Sequence, residues 1–489
     1  MTEIVRNALG GFVNLPVWVV GGAVRDWALG RPAKDIDLAI DGDAAAFGRE
    51  IACSAGGHFF VMHPASQTAR VAFADGAWLD IVPLPLGLDA DLKRRDFTVN
   101  AMALPLDFYM QAPEPGGLPP APPSQLADPT GGWSDLGERI IRVTHPRVFE
   151  EDPLRTLRGL RLLATLGGSH IQTESLALLR DAAPLLSTTS PERLRDEWLS
   201  TLDVPDGGRA VLAAAEMGLL DSIVPQWRDM VGVTQNPYHH LDVWDHTLAV
   251  LREFDGFCGS GGGMPGELQG PVREYLREYV SPPHSRRALL RLAILLHDSG
   301  KPETRSEDEE GRIRFLSHEH TSEGLARSWA VRHRLSGRER AFLGAVVGLH
   351  MRPGGLLAPE VSTRAVTRFF RDAGPAAPAL LLLNVADRLA ARGPWTTDEE
   401  VETQVEGSWR LLGQWVEMKN TVALPLPISG KDLMEAFVLS PGPRIGRIIQ
   451  ALRDVHAETP FADRESALEA ARQIVNGAED TVTPPQGIQ

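Results

Sequence analysis

The chain has 489 residues, a formal net charge of −15 at pH 7, and 43% hydrophobic and 23% charged residues. This balance is typical of a globular protein, and at roughly 150 residues per domain the length indicates about three compact units. The acidic total excludes a uniformly basic nucleic-acid binder but allows a local basic groove. Two cysteines are too few for a disulfide framework, and neither a membrane-length apolar run nor a signal-peptide pattern occurs, so we expect a cytoplasmic protein.

The first 125 residues alternate short apolar runs with a helical segment. β-Branched and apolar residues favour strands at 17–20 (VWVV), 35–40 (DIDLAI) and 78–84 (WLDIVPL), and AVRDWALG at 23–30 favours a short helix closed by Gly30. The Pro- and Gly-rich segment 112–125 is typical of a loop. These patterns predict a small mixed α/β head.

Helical spacing dominates the rest of the chain. We divide it into a neck at 126–230, a middle region at 231–395 and a tail at 396–489, with a Gly-rich flexible insertion at 259–266 and a disordered end at 479–489. The predicted fold class is therefore α+β: a mixed α/β head followed by mostly α-helical parts.

Two carboxylates stand two residues apart in the second predicted strand. Asp35 and Asp37 would point to one face, where such a pair can bridge divalent cations; Mg²⁺ suits carboxylates together with substrate phosphates. Gly21 and Gly22, between a strand and a helix, allow close approach of phosphate to the backbone, and Arg25 can add a phosphate contact. A lone pair of this kind is more often a solvated turn.

The combination of GGAVRD (21–26) with DIDL (35–38) and DLKRRDFTVNAMAL (91–104) resembles the nucleotidyltransferase superfamily, in its class II branch of tRNA nucleotidyltransferases and bacterial poly(A) polymerases. The resemblance implies transfer of a nucleotide from CTP or ATP to the 3′ end of tRNA, with release of pyrophosphate. In the second motif it assigns phosphate and ribose contacts to four residues, although a basic surface turn is the alternative: Arg94, Arg95, Asp96 and Asn100.

Further motifs continue the resemblance. DPTGGWSDL (128–136) resembles a hinge-like turn, and SPERLRDEW (190–198) a supporting helix. EEDPLRTLRGLRLL (150–163) resembles the base-selecting motif: on a helix, Asp152 and Arg155 would share a face and match the Watson–Crick edge of cytosine, or that of adenine. Arg158 and Arg161 would continue this stripe, the alternative being an amphipathic helix with an exposed arginine face.

Two features refine the predicted chemistry. Asp80, in the third strand, is a candidate third catalytic carboxylate or an exposed strand residue. Only PLPLGLDADLK (83–93) connects this strand to the RRD motif, whereas most class II enzymes carry a longer Arg- and Tyr-containing flexible loop there. In the family, loss of this loop accompanies addition of CC alone, so we favour a CC-adding enzyme, with a separate A-adding enzyme as a partner. CCA addition, A addition and poly(A) synthesis remain alternatives, since another segment, such as 112–125, could take the place of the loop.

Histidines and aspartates recur in the middle region in an order that resembles the HD phosphohydrolase superfamily. The resemblance implies His246, His297, Asp298 and Asp387 as metal ligands, with His318 and His350 at a second position. His320 is the alternative to His318, and Lys301 could contact phosphate. Imidazoles with carboxylates suit Mn, Fe, Ni or Zn. Isolated histidines are more often satisfied core residues, and many fused HD domains are thought to be structural.

The last motif, 426–452, resembles the C-terminal region of the same family, with a helix start at PGPxIG that could hold an RNA phosphate, a simple helix cap being an equally good alternative. The predicted partners are tRNA and CTP, with ATP as the alternative nucleotide, and no membrane. Hypotheses from other classes are a metal phosphohydrolase whose head only binds nucleotide, and a non-catalytic RNA-binding protein.

Overall fold

The computed structural model describes residues 3–12, 16–33, 35–63, 67–111, 116–259, 262–357, 361–420, 426–440, 442–458 and 461–477. The chain divides into two compact units, Met1–Trp409 and Arg410–Gln489. The finer division at 125/126, 230/231 and 395/396 stays a prediction. Within the described residues, no helix combines the length and apolar character that crossing a membrane requires.

A six-stranded mixed sheet forms the head, and it confirms the predicted α+β class together with the helical remainder. Its strands are Val17–Val20 (β1), Ile36–Ile40 (β2), His58–His63 (β3), Thr68–Ala72 (β4), Trp78–Pro83 (β5) and Ala103–Pro105 (β6). The spatial order is β3-β4-β5-β2-β1-β6, in which β2 and β5 are parallel and the other neighbours antiparallel. The three predicted strands are confirmed, but β2 begins one residue after Asp35; β3, β4 and β6 were not predicted.

Buried strand residues hold the sheet against its helices. Val19, Leu38 and Ile81 are fully buried, and each such side chain contributes roughly 1.5–3 kcal/mol of transfer free energy. The predicted helix after β1 ends at Ala28, and Gly30 has a positive φ of 66°. The head helices are Glu3–Gly10 (α1), Gly22–Ala28 (α2), Ala44–Ala55 (α3), Leu88–Lys93 (α4) and Leu106–Gln111 (α5), with a 3₁₀ turn at Thr98–Asn100.

The segment after the head is helical, as predicted, apart from one short parallel pair, Ile140–Ile141 (β7) with His170–Ile171 (β8). The described part of the predicted loop, 116–125, contains no helix or strand; 112–115 lie outside the described residues. The helices are Gly132–Glu138 (α6), Val148–Glu151 (α7), Arg155–Thr165 (α8), Thr173–Ala182 (α9), Pro191–Leu202 (α10), Gly207–Glu216 (α11), Leu220–Ile223 (α12) and Trp227–Met230 (α13), with a 3₁₀ turn at Ala183–Thr188.

The following region is also mostly helical, with two small hairpins that helical periodicity did not predict: Tyr279–Ser281 (β9) with His284–Ser285 (β10), and Arg305–Glu307 (β11) with Ile313–Phe315 (β12). Its helices are Val243–Gly259 (α14), Gly266–Arg277 (α15), Arg286–Leu296 (α16), Lys301–Thr304 (α17), His318–Arg332 (α18), Gly337–Gly348 (α19), Thr363–Ala373 (α20), Ala377–Ala390 (α21) and Asp398–Asn420 (α22), with 3₁₀ turns at Pro353–Leu356 and Gly374–Ala376. Residues 260–261 of the predicted insertion lie outside the described residues.

The C-terminal unit contains helices Gly430–Phe437 (α23), Pro443–Glu458 (α24) and Arg464–Gly477 (α25). They pack on a small apolar core in which Leu433, Leu452 and Ala467 are fully buried. The helix predicted to start at PGPxIG is α24. The predicted disordered end, 479–489, lies outside the described residues.

Candidate active site

The carboxyl side of β1 brings a glycine turn against the acidic end of β2. Val20, the last residue of β1, pairs with Asp37 on β2, and Gly21 follows with a φ of 75°, which favours glycine. A Cβ on Gly21 would lie 2.7 Å from Nη1 of Arg95 and 3.2 Å from Oδ2 of Asp37. The Gly21 amide already donates to the Met102 carbonyl at 3.0 Å. What Gly21 contributes here is therefore the space that the two charged side chains occupy.

A cavity of about 760 Å³ opens beside this turn. It brings together most of the residues that the motifs predicted: Gly21, Gly22, Arg25, Asp35, Asp37, Arg94, Arg95, Asp96, Asn100, Arg155, Arg158 and Arg161. Among the described residues, Asp80 and Asp152 are the predicted members of this site that lie outside the lining. Arginines from the head and from α8 thus face the same space as the acidic pair, an arrangement suited to a polyphosphate.

Hydrogen bonds connect the polar residues of the cavity. Nη1 of Arg25 donates to Oδ1 of Asn100 at 2.6 Å, and Nδ2 of Asn100 donates to Asp96 at 3.2 Å. Arg158 lies 3.6 Å from the other Asp96 oxygen. The contacts fix side chains from α2, the 3₁₀ turn and α8 relative to one another before any ligand binds.

One buried acid orients the paired arginines of the second motif. Asp91, on α4, accepts from Arg94 at 2.7 Å and from Arg95 at 3.1 Å, one arginine on each oxygen. Its side chain is 7% exposed, whereas Arg94 is 66% exposed and Arg95 18%. None of the motifs predicts a role for Asp91, although its spacing of three and four residues from the two arginines is the spacing of ion pairs on a helix.

The electrostatics of Asp37 favour a cation beside it. Burial raises the pKa of Asp37, Asp80 raises it further, and Arg95 opposes both effects. Because desolvation and a neighbouring acid penalise the charged form, a bound cation would stabilise the carboxylate. Asp37 and the cavity-lining Asp35 are therefore the residues that fit a divalent metal.

Asp80 forms an ion pair with Arg70, a residue for which none of the motifs predicts a role. Asp80 on β5 is the register partner of Asp37 on β2. Its two oxygens accept from Nε and Nη2 of Arg70, on β4, at 2.6 and 2.7 Å. A bidentate pair of this kind fixes the Asp80 carboxylate; its catalytic role stays a prediction.

The expectation that Asp152 and Arg155 share one helix is wrong. Asp152 follows α7 with φ −149° and ψ 103°, and α8 begins at Arg155. Pro153 is the physical reason, since a proline disfavours helical geometry in the residue before it. Asp152 pairs instead with Arg193 on α10 at 3.1 Å, and Arg155 with Glu151 at 3.2 Å.

The remaining arginines of α8 contact α10, the predicted supporting helix. Glu197 lies 3.7 Å from Nε of Arg158 and 3.3 Å from Nε of Arg161. Both arginines are about two-fifths exposed. They line the cavity, and the single Glu197 carboxylate holds each of them near Nε. Glu197 was another residue without a sequence assignment.

A second cluster lies in the helical region that follows. His297, His318 and His350 each place Nδ1 within 2.7–2.9 Å of a backbone carbonyl three residues earlier, which directs Nε2 toward Asp298. Nε2 of His297 is 3.3 Å from Oδ2 of Asp298, and Nε2 of His318 is 3.3 Å from Oδ1. Asp298 thus faces imidazoles with each of its oxygens.

The cluster contains three groups whose ligand atoms lie within 4.8 Å of one another: His246, His297 and Asp298; Asp298, His318 and His350; and His239, His246 and Asp387. Burial alone would raise the pKa of Asp298, but His297 and Lys301 lower it well below its usual value. An ionised acid among imidazoles fits a transition metal.

Three further residues bear on the composition of this cluster: His320, Lys301 and His239. His318 is 8% exposed and His320 73%, so the structure places the preferred residue, and not its alternative, in the cluster. Lys301 lies 2.7 Å from Asp298 and donates to Gln235 at 2.7 Å. His239 was not predicted.

Three protein families match successive parts of the chain. They are described as the poly(A) polymerase head domain, over residues 17–142, a probable RNA- and SrmB-binding site of polymerase A, over 168–230, and the HD domain, over 243–392.

Whole-chain relatives agree with these matches. An A-adding tRNA nucleotidyltransferase of Deinococcus radiodurans is 34% identical over 95% of this chain and 96% of its own length. A CC-adding tRNA nucleotidyltransferase of Thermus thermophilus is 31% identical over 92% and 91%. A solved CCA-adding enzyme with CTP shares the fold, with a TM-score of 0.54 at 21% identity over 96% of this chain and 94% of that one.

The match of the head to the poly(A) polymerase head domain and the whole-chain relatives show that the chain is a nucleotidyltransferase. Within that class, the identity and coverage of the relatives show that the chain belongs to the class II family of tRNA nucleotidyltransferases and poly(A) polymerases, in the group that carries an HD domain. The resemblance drawn from the motifs is confirmed.

Proposed function

We propose that the protein adds CMP residues from CTP to the 3′ end of tRNA, releases pyrophosphate and stops after the second cytidine. The single observation that carries the CC-only specificity is the connection between β5 and α4, which consists of residues 84–87. Leu84 donates its amide to the Ile40 carbonyl at 2.9 Å, and Gly87 donates to the Leu84 carbonyl at 3.1 Å with a φ of 82°.

This turn leaves no room for the flexible Arg- and Tyr-containing loop of most class II enzymes. Residues 67–111 are described without a gap, so no undescribed segment lies between β5 and the RRD motif. In the family, this loop is linked to the switch of the pocket from CTP to ATP. We infer that a pocket without it retains its CTP state, and that a separate A-adding enzyme completes the tRNA.

The proposed roles follow the geometry of the cavity. Mg²⁺ held by Asp35 and Asp37 would supply Lewis-acid activation of the 3′-hydroxyl and would neutralise charge on the triphosphate. The hydroxyl attacks the α-phosphate of CTP, and the bond to the pyrophosphate group breaks. Arg25, Arg95 and their neighbours in the cavity bind the phosphates and exclude competing orientations.

Base selection would draw on two elements instead of one helix face. Asp152 offers acceptor oxygens before α8, and Arg155 offers donors at its first turn, a combination that matches the amino group and ring acceptors of cytosine. Their partners Arg193 and Glu151 hold these groups in place until the base competes for them.

Nucleotide incorporation on three tRNA transcripts tests the proposal. The transcripts end at the discriminator base, at C and at CC, and each is incubated with CTP or ATP. We expect CTP to extend the first two and ATP to extend none. Extension of the CC-ending transcript by ATP would contradict CC-only addition. If ATP but not CTP is incorporated, the protein is an A-adding enzyme; if both are incorporated, it is a CCA-adding enzyme.

The second cluster supports a second candidate function, hydrolysis of phosphomonoesters or cyclic phosphodiesters at a Mn, Fe, Ni or Zn centre. The observation that favours it is Asp298, which faces imidazoles with both oxygens. The proposed ligands are His246, His297, Asp298, His318, His350 and Asp387. Asp298→Ala should abolish such hydrolysis and spare incorporation. If the opposite holds, or if Asp35→Ala with Asp37→Ala retains wild-type incorporation, the assignment of functions to the two sites changes.

A further inference from the structure

His239 lies in the segment just before α14, outside the set of metal ligands that the HD resemblance assigns. It is partly buried, and the centroid of its ring is 4.8 Å from that of His246, at an interplanar angle of 87°. Together with His246 and Asp387 it forms one of the three groups of closely spaced ligand atoms. Its position thus extends the second cluster on the side of Asp387.

Local hydrogen bonds determine which nitrogen of His239 carries the proton. Nδ1 of His239 lies 3.1 Å from Oδ1 of Asn236, and the same oxygen accepts the Tyr238 amide at 3.3 Å. Because an amide hydrogen points at this atom, it is the oxygen and not the nitrogen of Asn236, so Nδ1 of His239 must donate. The lone pair of the imidazole is therefore on Nε2.

This arrangement repeats that of three proposed ligands. His297, His318 and His350 also use Nδ1 on a carbonyl oxygen, which leaves Nε2 for the metal. His239 differs only in that its acceptor is a side-chain amide. By contrast, the adjacent His240 is exposed.

The segment is fixed to the chain that follows α21, the helix that carries Asp387. Gly393 donates its amide to the Tyr238 carbonyl at 2.9 Å, and Trp395 donates to the Pro237 carbonyl at 3.1 Å. A Cβ on Gly393 would lie 2.2 Å from the Pro237 oxygen and 2.5 Å from the His239 nitrogen. Such close backbone packing holds His239 and Asp387 at a constant separation.

We propose that His239 is a further metal ligand, which binds through Nε2 the cation held by His246 and Asp387, with Asn236 as its positioning residue. The inference rests on the proposed metal centre of the second cluster. An added imidazole makes the site softer and favours a transition metal over Mg²⁺.

The test is Co²⁺ binding to the full-length protein, stripped of metal, by titration calorimetry and by the visible absorption of bound Co²⁺. His239→Gln should weaken Co²⁺ binding by roughly tenfold or more and change the absorption spectrum, because one nitrogen leaves the coordination shell. Asn236→Ala should weaken binding less, and His240→Gln is the matched control that should bind like the wild type. Unchanged circular dichroism and CMP incorporation report the folded state of each variant.

Two results would overturn the inference, and they differ. If the wild type binds Co²⁺ and His246→Gln weakens binding, while His239→Gln retains wild-type affinity and spectrum, only the assignment of His239 fails. If the wild type binds no Co²⁺, the proposed metal centre fails, and His239 with it.

Discussion

Gly21 shows how one residue without a side chain shapes the catalytic cavity. Its positive φ turns the chain out of β1, and the missing Cβ leaves space in which Arg95 and Asp37 meet. With alanine at this position, the methyl group would lie 2.7 Å from Nη1 of Arg95, so the Arg95 side chain would have to shift.

Gly21→Ala should therefore raise the KM for CTP and lower kcat, since Arg95 must move from its place beside Asp37. Gly76→Ala is the matched control: its φ is 81°, and a Cβ there would meet nothing within 4 Å. Both variants have the backbone strain of alanine at positive φ, about 1 kcal/mol or more. Equal losses of activity in steady-state assays would show that strain, and not the contact with Arg95, explains the effect.

We expect the acidic pair, Asp35 and Asp37, to be needed for CMP incorporation. Asp37→Asn should reduce CMP incorporation by on the order of a thousandfold, because a metal ligand worth several kcal/mol in the transition state is lost. Asp41→Asn, an exposed position shortly after β2, should retain wild-type rates. Single-turnover incorporation measures both, and activity of Asp37→Asn near that of the control would be incompatible with the proposed mechanism.

Residues with motif spacing could be predicted from the sequence, and the cavity contains most of them. Residues whose importance comes from contacts across the fold could not. Arg70 meets Asp80 because β4 and β5 are neighbours, and Glu197 meets Arg158 through the packing of α10 on α8. Neither pairing leaves a local pattern in the chain.

At the scale of elements, a buried network joins α10 to the hairpin of β10 and to the start of α19. His284 lies 3.1 Å from Asp196 through Nε2 and 2.6 Å from Glu339 through Nδ1. Burial alone would lower the pKa of His284, but hydrogen bonds to Asp196 and Glu339 raise it above its usual value. Arg195 also contacts Asp196. His284 therefore connects three elements, and the fold favours its protonated form.

This network predicts a pH-dependent contribution to stability. Because the pKa of His284 is raised in the folded protein, its contribution is fully present below the unfolded value of 6.5 and is lost as pH rises through the folded pKa. The difference in Tm between wild type and His284→Gln should accordingly be largest near pH 6 and shrink toward pH 8.5. A difference that stays constant across this range in thermal melts would contradict the charged state.

Element prediction failed where local geometry overrides periodicity. The motif at 150–163 predicts one helix for Asp152 and Arg155, yet Pro153 ends the helical geometry at Asp152 and separates α7 from α8. β3 was missed because its sequence, HFFVMH, does not alternate; as the outer strand of the sheet it leaves Phe60, Val61 and Met62 about two-fifths exposed or more.

At the scale of the molecule, the two clusters consist of different residues and are proposed to hold different metals, so we expect a substitution in one cluster to leave the other functional. Asp298→Ala should lose Co²⁺ binding while CMP incorporation stays within about twofold of wild type, and Asp37→Asn should behave in the opposite way. Both are measured on full-length protein. Loss of both properties in either variant would instead indicate that the clusters are coupled.

The central claim is that Asp35 and Asp37 hold the catalytic cation beside the glycine turn. Crystals soaked with CTP and Mn²⁺ as a substitute for Mg²⁺ test it most directly, because anomalous scattering locates manganese. We expect an anomalous peak within coordination distance of both carboxylates, with the triphosphate between the Gly21 turn and Arg95. Nucleotide and manganese bound elsewhere, with the acidic pair free of metal, would contradict it.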